Sequence, residues 1–84
     1  MIRAVLIDDE QKNISILEKM LEQSCPDVKI VGTASDSKSG AETIRQVKPD
    51  LVFLDIEMPY GNAFDLLDGL KPLDFEVIFV TAFD

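Results

Sequence analysis

Asp8, Asp9, Asp55 and Thr81 carry the oxygen atoms best placed for chemistry in this chain, and each follows a short apolar run. Ala4 to Ile7 leads into Asp8 and Asp9, Leu51 to Leu54 into Asp55, and Val77 to Val80 into Thr81. Apolar runs of about 4 to 8 residues bounded by turn signals are what strands look like when helices cover both faces of a parallel sheet. In such sheets the ligand crevice lies just beyond the carboxyl ends of the strands. Three carboxylates brought to one crevice repel each other strongly, and a divalent cation among them offsets that repulsion.

The elements that must position these residues are legible in the same pattern. After the first strand, Ile14, Leu17 and Leu21 recur at helical spacing, with Ile16 and Met20 beside them, until Ser24, Cys25 and Pro26 stop the pattern; this predicts a helix over roughly 11–24. Val28 to Ala34 reads as a second strand, interrupted by Lys29, Gly32 and Thr33 and therefore placed near an edge. Asp36 or Ser37 caps a second helix whose inward face is Ala41, Ile44 and Val47, and Lys48-Pro49 ends it. Leu51 to Asp55 is the third strand. A third helix carries Phe64, Leu66, Leu67 and Leu70 as an ordinary core stripe and closes at Lys71-Pro72. Val77 to Thr81 is the fourth strand, and its apolar character predicts cover on both faces and a neighbour on each side. The alternation βαβαβαβ predicts one α/β domain over 1–84 with a right-handed, doubly wound parallel sheet.

Composition narrows the partners. The 84 residues carry 8 Lys plus Arg against 16 Asp plus Glu, a net charge of −8, which disfavours direct contact with nucleic acid or an anionic membrane. There is no run of 18 apolar residues and no secretory h-region, so a cytoplasmic location is the expectation. Cys25 has no second Cys and no His to work with, and is read as a small packing residue.

Three segments carry a family resemblance: Ile7-Asp8-Asp9-Glu10, Leu54-Asp55-Ile56-Glu57-Met58-Pro59 and Val80-Thr81-Ala82. In order and spacing they closely resemble the receiver domain of two-component response regulators, and the whole chain follows that pattern. Asp-Ile-Glu-Met-Pro at 55–59 with Thr-Ala-Phe-Asp at 81–84 looks most like receivers joined to a LytTR-type (LytR/AlgR-like) DNA-binding domain. The resemblance implies a flavodoxin-like sheet in the order 2-1-3-4, lacking its last strand and helices. It implies that a sensor histidine kinase phosphorylates Asp55 with Mg2+, and that small phosphodonors can do the same. Asp8, Asp9 and Asp55 would hold the ion together with the backbone carbonyl of Glu57. Thr81 would be the switch hydroxyl, and the backbone N–H groups of Ile56 and Ala82 would complete the phosphoryl cradle. The family lysine and the aromatic switch residue of a fifth strand fall beyond Asp84. Ala63 stands where receivers commonly have glycine, leaving Gly61 and Asn62 to carry the turn.

Plainer readings exist for each residue alone. Asp8 and Asp9 are ordinary at a helix start, Asp55 is an ordinary turn residue, and Thr81 suits a strand. Their joint occurrence at three strand ends favours the functional reading. A competitor from another class is a Mg-dependent aspartyl-phosphate phosphatase or phosphotransferase with Asp55 as nucleophile. That family places an Asp two residues after its nucleophile on the first strand, whereas Glu57 occupies that offset here on the third. Since the sequence reads as a receiver cut short after its fourth strand, it is also expected to form a homo-oligomer through that strand.

Overall fold

A computed structural model describes residues 1–56 and 63–80 of the chain. The elements run β1 (Ile2–Ile7), α1 (Gln11–Ser24), β2 (Val28–Ala34), α2 (Ser37–Val47), β3 (Leu51–Asp55), α3 (Ala63–Gly69) and β4 (Glu76–Val80). The strands form one parallel sheet in the order β2-β1-β3-β4, the doubly wound order expected, with β2 at an edge. β1 starts two residues before the apolar run at Ala4, because Ile2 and Arg3 extend its pairing with β2.

Strand alternation sorts the apolar side chains into two layers. Val5, Ile7, Val52 and Leu54 face α2 and α3, where Ile44, Leu66 and Leu67 complete a buried cluster. Ala4, Leu6 and Phe53 face α1 and pack with Ile14 and Leu21. The central strands are buried on both sides, which is why their sequences show no polar alternation.

The helices are set by local chemistry. Asp36 caps α2 by accepting hydrogen bonds from the Ser39 N–H at 2.7 Å and the Ser39 hydroxyl at 3.0 Å, and these donors hold its carboxyl below the ordinary range. α2 ends at Lys48 in the left-handed conformation (φ 48°), immediately before Pro49. Gly40 brings α2 down onto β1: a Cβ there would meet the Ile7 Cδ1 at 2.8 Å, and Ile7 is itself fully enclosed. Gly40→Ala is therefore expected to destabilise the fold, because overpacking costs about 1–3 kcal/mol against a helix-propensity gain of at most about 1 kcal/mol. Urea unfolding checks it, and a midpoint at or above that of the parent chain would refute the tight α2–β1 contact.

Two sequence expectations, for Phe64 and Cys25, fail for identifiable reasons, and β4 is more exposed among the described residues than its composition suits. In β4, Ile78 is 46% and Phe79 40% exposed, and among the described residues the strand pairs with β3 alone. Phe64 is 59% exposed rather than core, because the buried side of this short helix is taken by Leu66 and Leu67; its ring lies 5.5 Å from that of Phe79. Cys25 is exposed, since it forms the C-cap of α1 and its backbone, not its side chain, makes the contact to Leu21.

Candidate functional site

Backbone pairing delivers the two buried carboxylates to one place. Ile7 is paired with Leu54, so Asp8 and Asp55 leave the sheet side by side. Both continue the series that faces α1: Ala4, Leu6, Asp8 on one strand and Phe53, Asp55 on the other. Each end is anchored by a ladder bond beyond the regular strand, from the Asp8 N–H to the Ala34 carbonyl at 3.0 Å and from the Ile56 N–H to the Val80 carbonyl at 3.2 Å. The amino ends are fixed as well, the Arg3 N–H donating to the Asp50 carboxylate at 2.9 Å and the Arg3 guanidinium to the Lys48 carbonyl at 3.1 Å.

Asp8 is 8% and Asp55 6% exposed, whereas Asp9 reaches into solvent. One carboxylate oxygen from each of Asp8, Asp9 and Asp55 lies within 4.8 Å of the other two. Asp8 also accepts a hydrogen bond from the Glu10 N–H at 2.9 Å, so one of its oxygens shapes the entry into α1. The capping and the cluster readings of Asp8 are thus compatible.

The donor set is all oxygen, which suits a hard divalent cation. Oxygens bound to one Mg2+ are separated by at most roughly 4 Å, twice the metal–oxygen distance. The cluster is only slightly wider, and the exposed Asp9 is the arm free to close on an ion or to bind it through water. Asp8, Asp9 and Asp55 therefore fit a magnesium site. The remaining sequence candidates, Glu57, Thr81 and Ala82, lie outside the described residues. The Ile56 N–H is engaged with Val80 at the end of the β3–β4 ladder.

Comparison with known proteins decides the family. The model of the response regulator receiver domain matches residues 4–84. The chain belongs to the response regulator receiver family. An uncharacterized response regulatory protein of Vibrio cholerae is 44% identical over 85 residues, covering all of this receiver and 35% of the relative. A protein-glutamate methylesterase/protein-glutamine glutaminase 1 of Methanospirillum hungatei is 42% identical over 74 residues, 88% of the receiver and 21% of the relative. Among solved structures, the response regulator domain of Thermotoga maritima CheB superimposes with a TM-score of 0.86 at 33% identity, over 96% of this receiver and 60% of that chain. The receiver domain of NarL from Mycobacterium tuberculosis gives 0.86 at 27% identity, over 99% and 68%. The fold is thus the flavodoxin-like receiver fold with strands in the order 2-1-3-4. This receiver spans about a third of the first curated relative's length, and the esterase activity in the other relative's name belongs to a protein of which about a fifth is matched. A receiver is a signalling module; receiver domains interact with histidine kinases and bind Mg2+ through acidic residues, and a cluster of three aspartates is present in this chain. Among the described residues no helix is long and apolar enough to cross a membrane.

Proposed function

We propose that this receiver is a phosphoacceptor module: Asp55 takes a phosphoryl group from a sensor histidine kinase, with Mg2+ held by Asp8, Asp9 and Asp55 and by the Glu57 backbone carbonyl. The observation that carries the reading is the three-carboxylate cluster, in which the most deeply placed member ends the central strand β3. Bound there, magnesium would supply positive charge against the incoming phosphoryl oxygens and hold them in line with the nucleophile. Asp55 attacks phosphorus through a carboxylate oxygen, forming an O–P bond as the bond from phosphorus to the donor breaks. Thr81 donates its hydroxyl to a phosphoryl oxygen, and the Ala82 and Ile56 N–H groups complete the cradle. For Ile56 this requires the 3.2 Å bond to Val80, already long, to open.

In the full-length protein the module controls a LytTR-type DNA-binding output and so regulates transcription in the cytoplasm. Supporting this are the 55–59 and 81–84 segments and the extent of the curated relatives beyond the matched region. The receiver itself touches neither DNA nor membrane, in keeping with its charge of −8. A second copy of the chain is a further partner, through β4. The direct test of the phosphoacceptor reading is intact mass after incubation with acetyl phosphate and Mg2+. One added phosphoryl mass is expected; a chain that gains none with this donor or with a histidine kinase would overturn the reading.

A further inference from the structure

We infer that the backbone N–H of Glu10 sets which cation the carboxylate cluster accepts: by holding one oxygen of Asp8 it keeps that carboxylate from chelating through both, and so favours Mg2+ and Mn2+ over Ca2+. The inference rests on the metal site of the phosphoacceptor reading and adds its selectivity.

Two rigid frames meet at Asp8. On the sheet side its own N–H donates to the Ala34 carbonyl at 3.0 Å, continuing the ladder between β1 and β2. On the helix side its carboxylate Oδ1 accepts the Glu10 N–H at 2.9 Å. That donor is held in place, because Glu10 is the N-cap of α1 and its carbonyl receives the Asn13 N–H at 3.0 Å and the Ile14 N–H at 3.3 Å. Ile14 in turn is buried against Ala4, Leu6 and Phe53. The orientation of the Asp8 carboxylate is thus fixed from the sheet and from the helix, in a buried position where a lost hydrogen bond is costly.

Size does not decide between the cations. The three oxygens lie within 4.8 Å of one another, close to the roughly 5 Å across a calcium ion with ligands at about 2.3–2.6 Å and wider than the roughly 4 Å across magnesium. Spacing alone would suit the larger ion. Asp9 is exposed, however, and moving a solvated side chain inward by less than about an ångström costs little.

Ligand number decides instead. Ca2+ takes about 6–8 oxygens and often engages a carboxylate through both, whereas Mg2+ takes about six, from one or two carboxylates and several waters. Chelation by Asp8 would turn both of its oxygens onto one ion and break the bond from Glu10. Losing a hydrogen bond to a charged acceptor corresponds to about tenfold or more in an equilibrium constant. Calcium therefore loses that factor or a ligand, and magnesium loses neither. The Glu10 side chain has no part in this, since it makes no capping bond to α1.

The test replaces the Glu10 N–H with an ester oxygen, which keeps the side chain and the shape of the backbone. Cys25, exposed at the end of α1, allows residues 1–24 to be made synthetically and ligated to the rest of the chain. Dissociation constants for Mg2+, Mn2+ and Ca2+ follow from the rise in melting temperature with each ion. The parent should bind Mg2+ about tenfold or more tightly than Ca2+, and in the ester chain that ratio should fall by about tenfold through a gain in calcium binding. Glu10→Gln, which retains the N–H, should keep the parent's ratio. Glu10→Pro lacks the same N–H at a helix start, where proline is tolerated, and should follow the ester chain. A parent that binds Ca2+ as tightly as Mg2+, an ester chain with the parent's ratio, or Glu10→Gln matching the ester chain would overturn the inference and leave the metal site standing. A parent stabilised by none of the three ions would overturn the site and the inference together.

Discussion

In metal-free buffer Asp55→Asn should melt above the parent chain, yet in millimolar Mg2+ the order should reverse. Asp8 and Asp55 are nearly enclosed, and their oxygens lie within 4.8 Å. Two unit charges at that distance cost about 3 kcal/mol at an effective dielectric constant near 20. Water reaching the crevice beside the exposed Asp9 lowers this, so removing one buried charge is expected to stabilise the fold by about 1 kcal/mol, or roughly 4–8 °C for a domain of this size. A cation bound only by the folded chain stabilises it by about 2.7 kcal/mol at a hundredfold excess over its dissociation constant. The parent should gain that increment. Asp55→Asn and Asp9→Asn should lose most of it, the second without the full gain in metal-free buffer, because Asp9 is already solvated. Scanning calorimetry with Mg2+, Mn2+ and chelator measures both arms. An unchanged metal response in Asp9→Asn and Asp8→Asn would remove the metal site; a metal-free Asp55→Asn melting no higher than the parent would remove the repulsion argument.

Burial, more than spacing, made the site legible. Leu51 to Leu54 and Ala4 to Ile7 are buried on both faces, so their sequences contain no polar residue until the strands emerge. The first oxygen-bearing side chain after each run is therefore the one at the crevice. The strand pairing itself was not in the sequence: that β1 lies beside β3, and Asp8 beside Asp55, came by resemblance and holds in the register of Ile7 with Leu54. Helix boundaries were readable where a side chain stops the helix, as at Pro26 and Pro49. Val77 to Val80 has the composition of a central strand, which records what a strand is suited to contact rather than what contacts it among the described residues. Phe64 is the residue that misled. Helical periodicity assigns it to the stripe of Leu67, but a helix of 7 residues buries less than a full stripe, and Leu66 and Leu67 fill the cluster. Gly40 gave no signal at all, because its role depends on how closely α2 approaches Ile7.

Asp55→Asn should abolish phosphoryl incorporation from acetyl phosphate, and Asp9→Asn should slow it by at least about a hundredfold. The two losses differ in kind. Asp55 is the attacking group, and an amide oxygen in its place is a poor nucleophile that yields no stable acyl phosphate. Asp9 forms no bond to phosphorus; its part is to hold the positive charge that lets an anionic donor approach a crevice already containing three carboxylates. Without that charge each approach is opposed by the repulsion that destabilises the metal-free fold, so the rate and the thermal shift of Asp9→Asn should fall together. Raising Mg2+ should partly restore the rate of Asp9→Asn, whose ion is weakly held, and should do nothing for Asp55→Asn. Proteolytic mapping of the acyl phosphate after reduction with borohydride places the label. A label on Asp8 or Asp9, or an Asp55→Asn chain still phosphorylated at the parent rate, would show that the nucleophile had been assigned to the wrong strand.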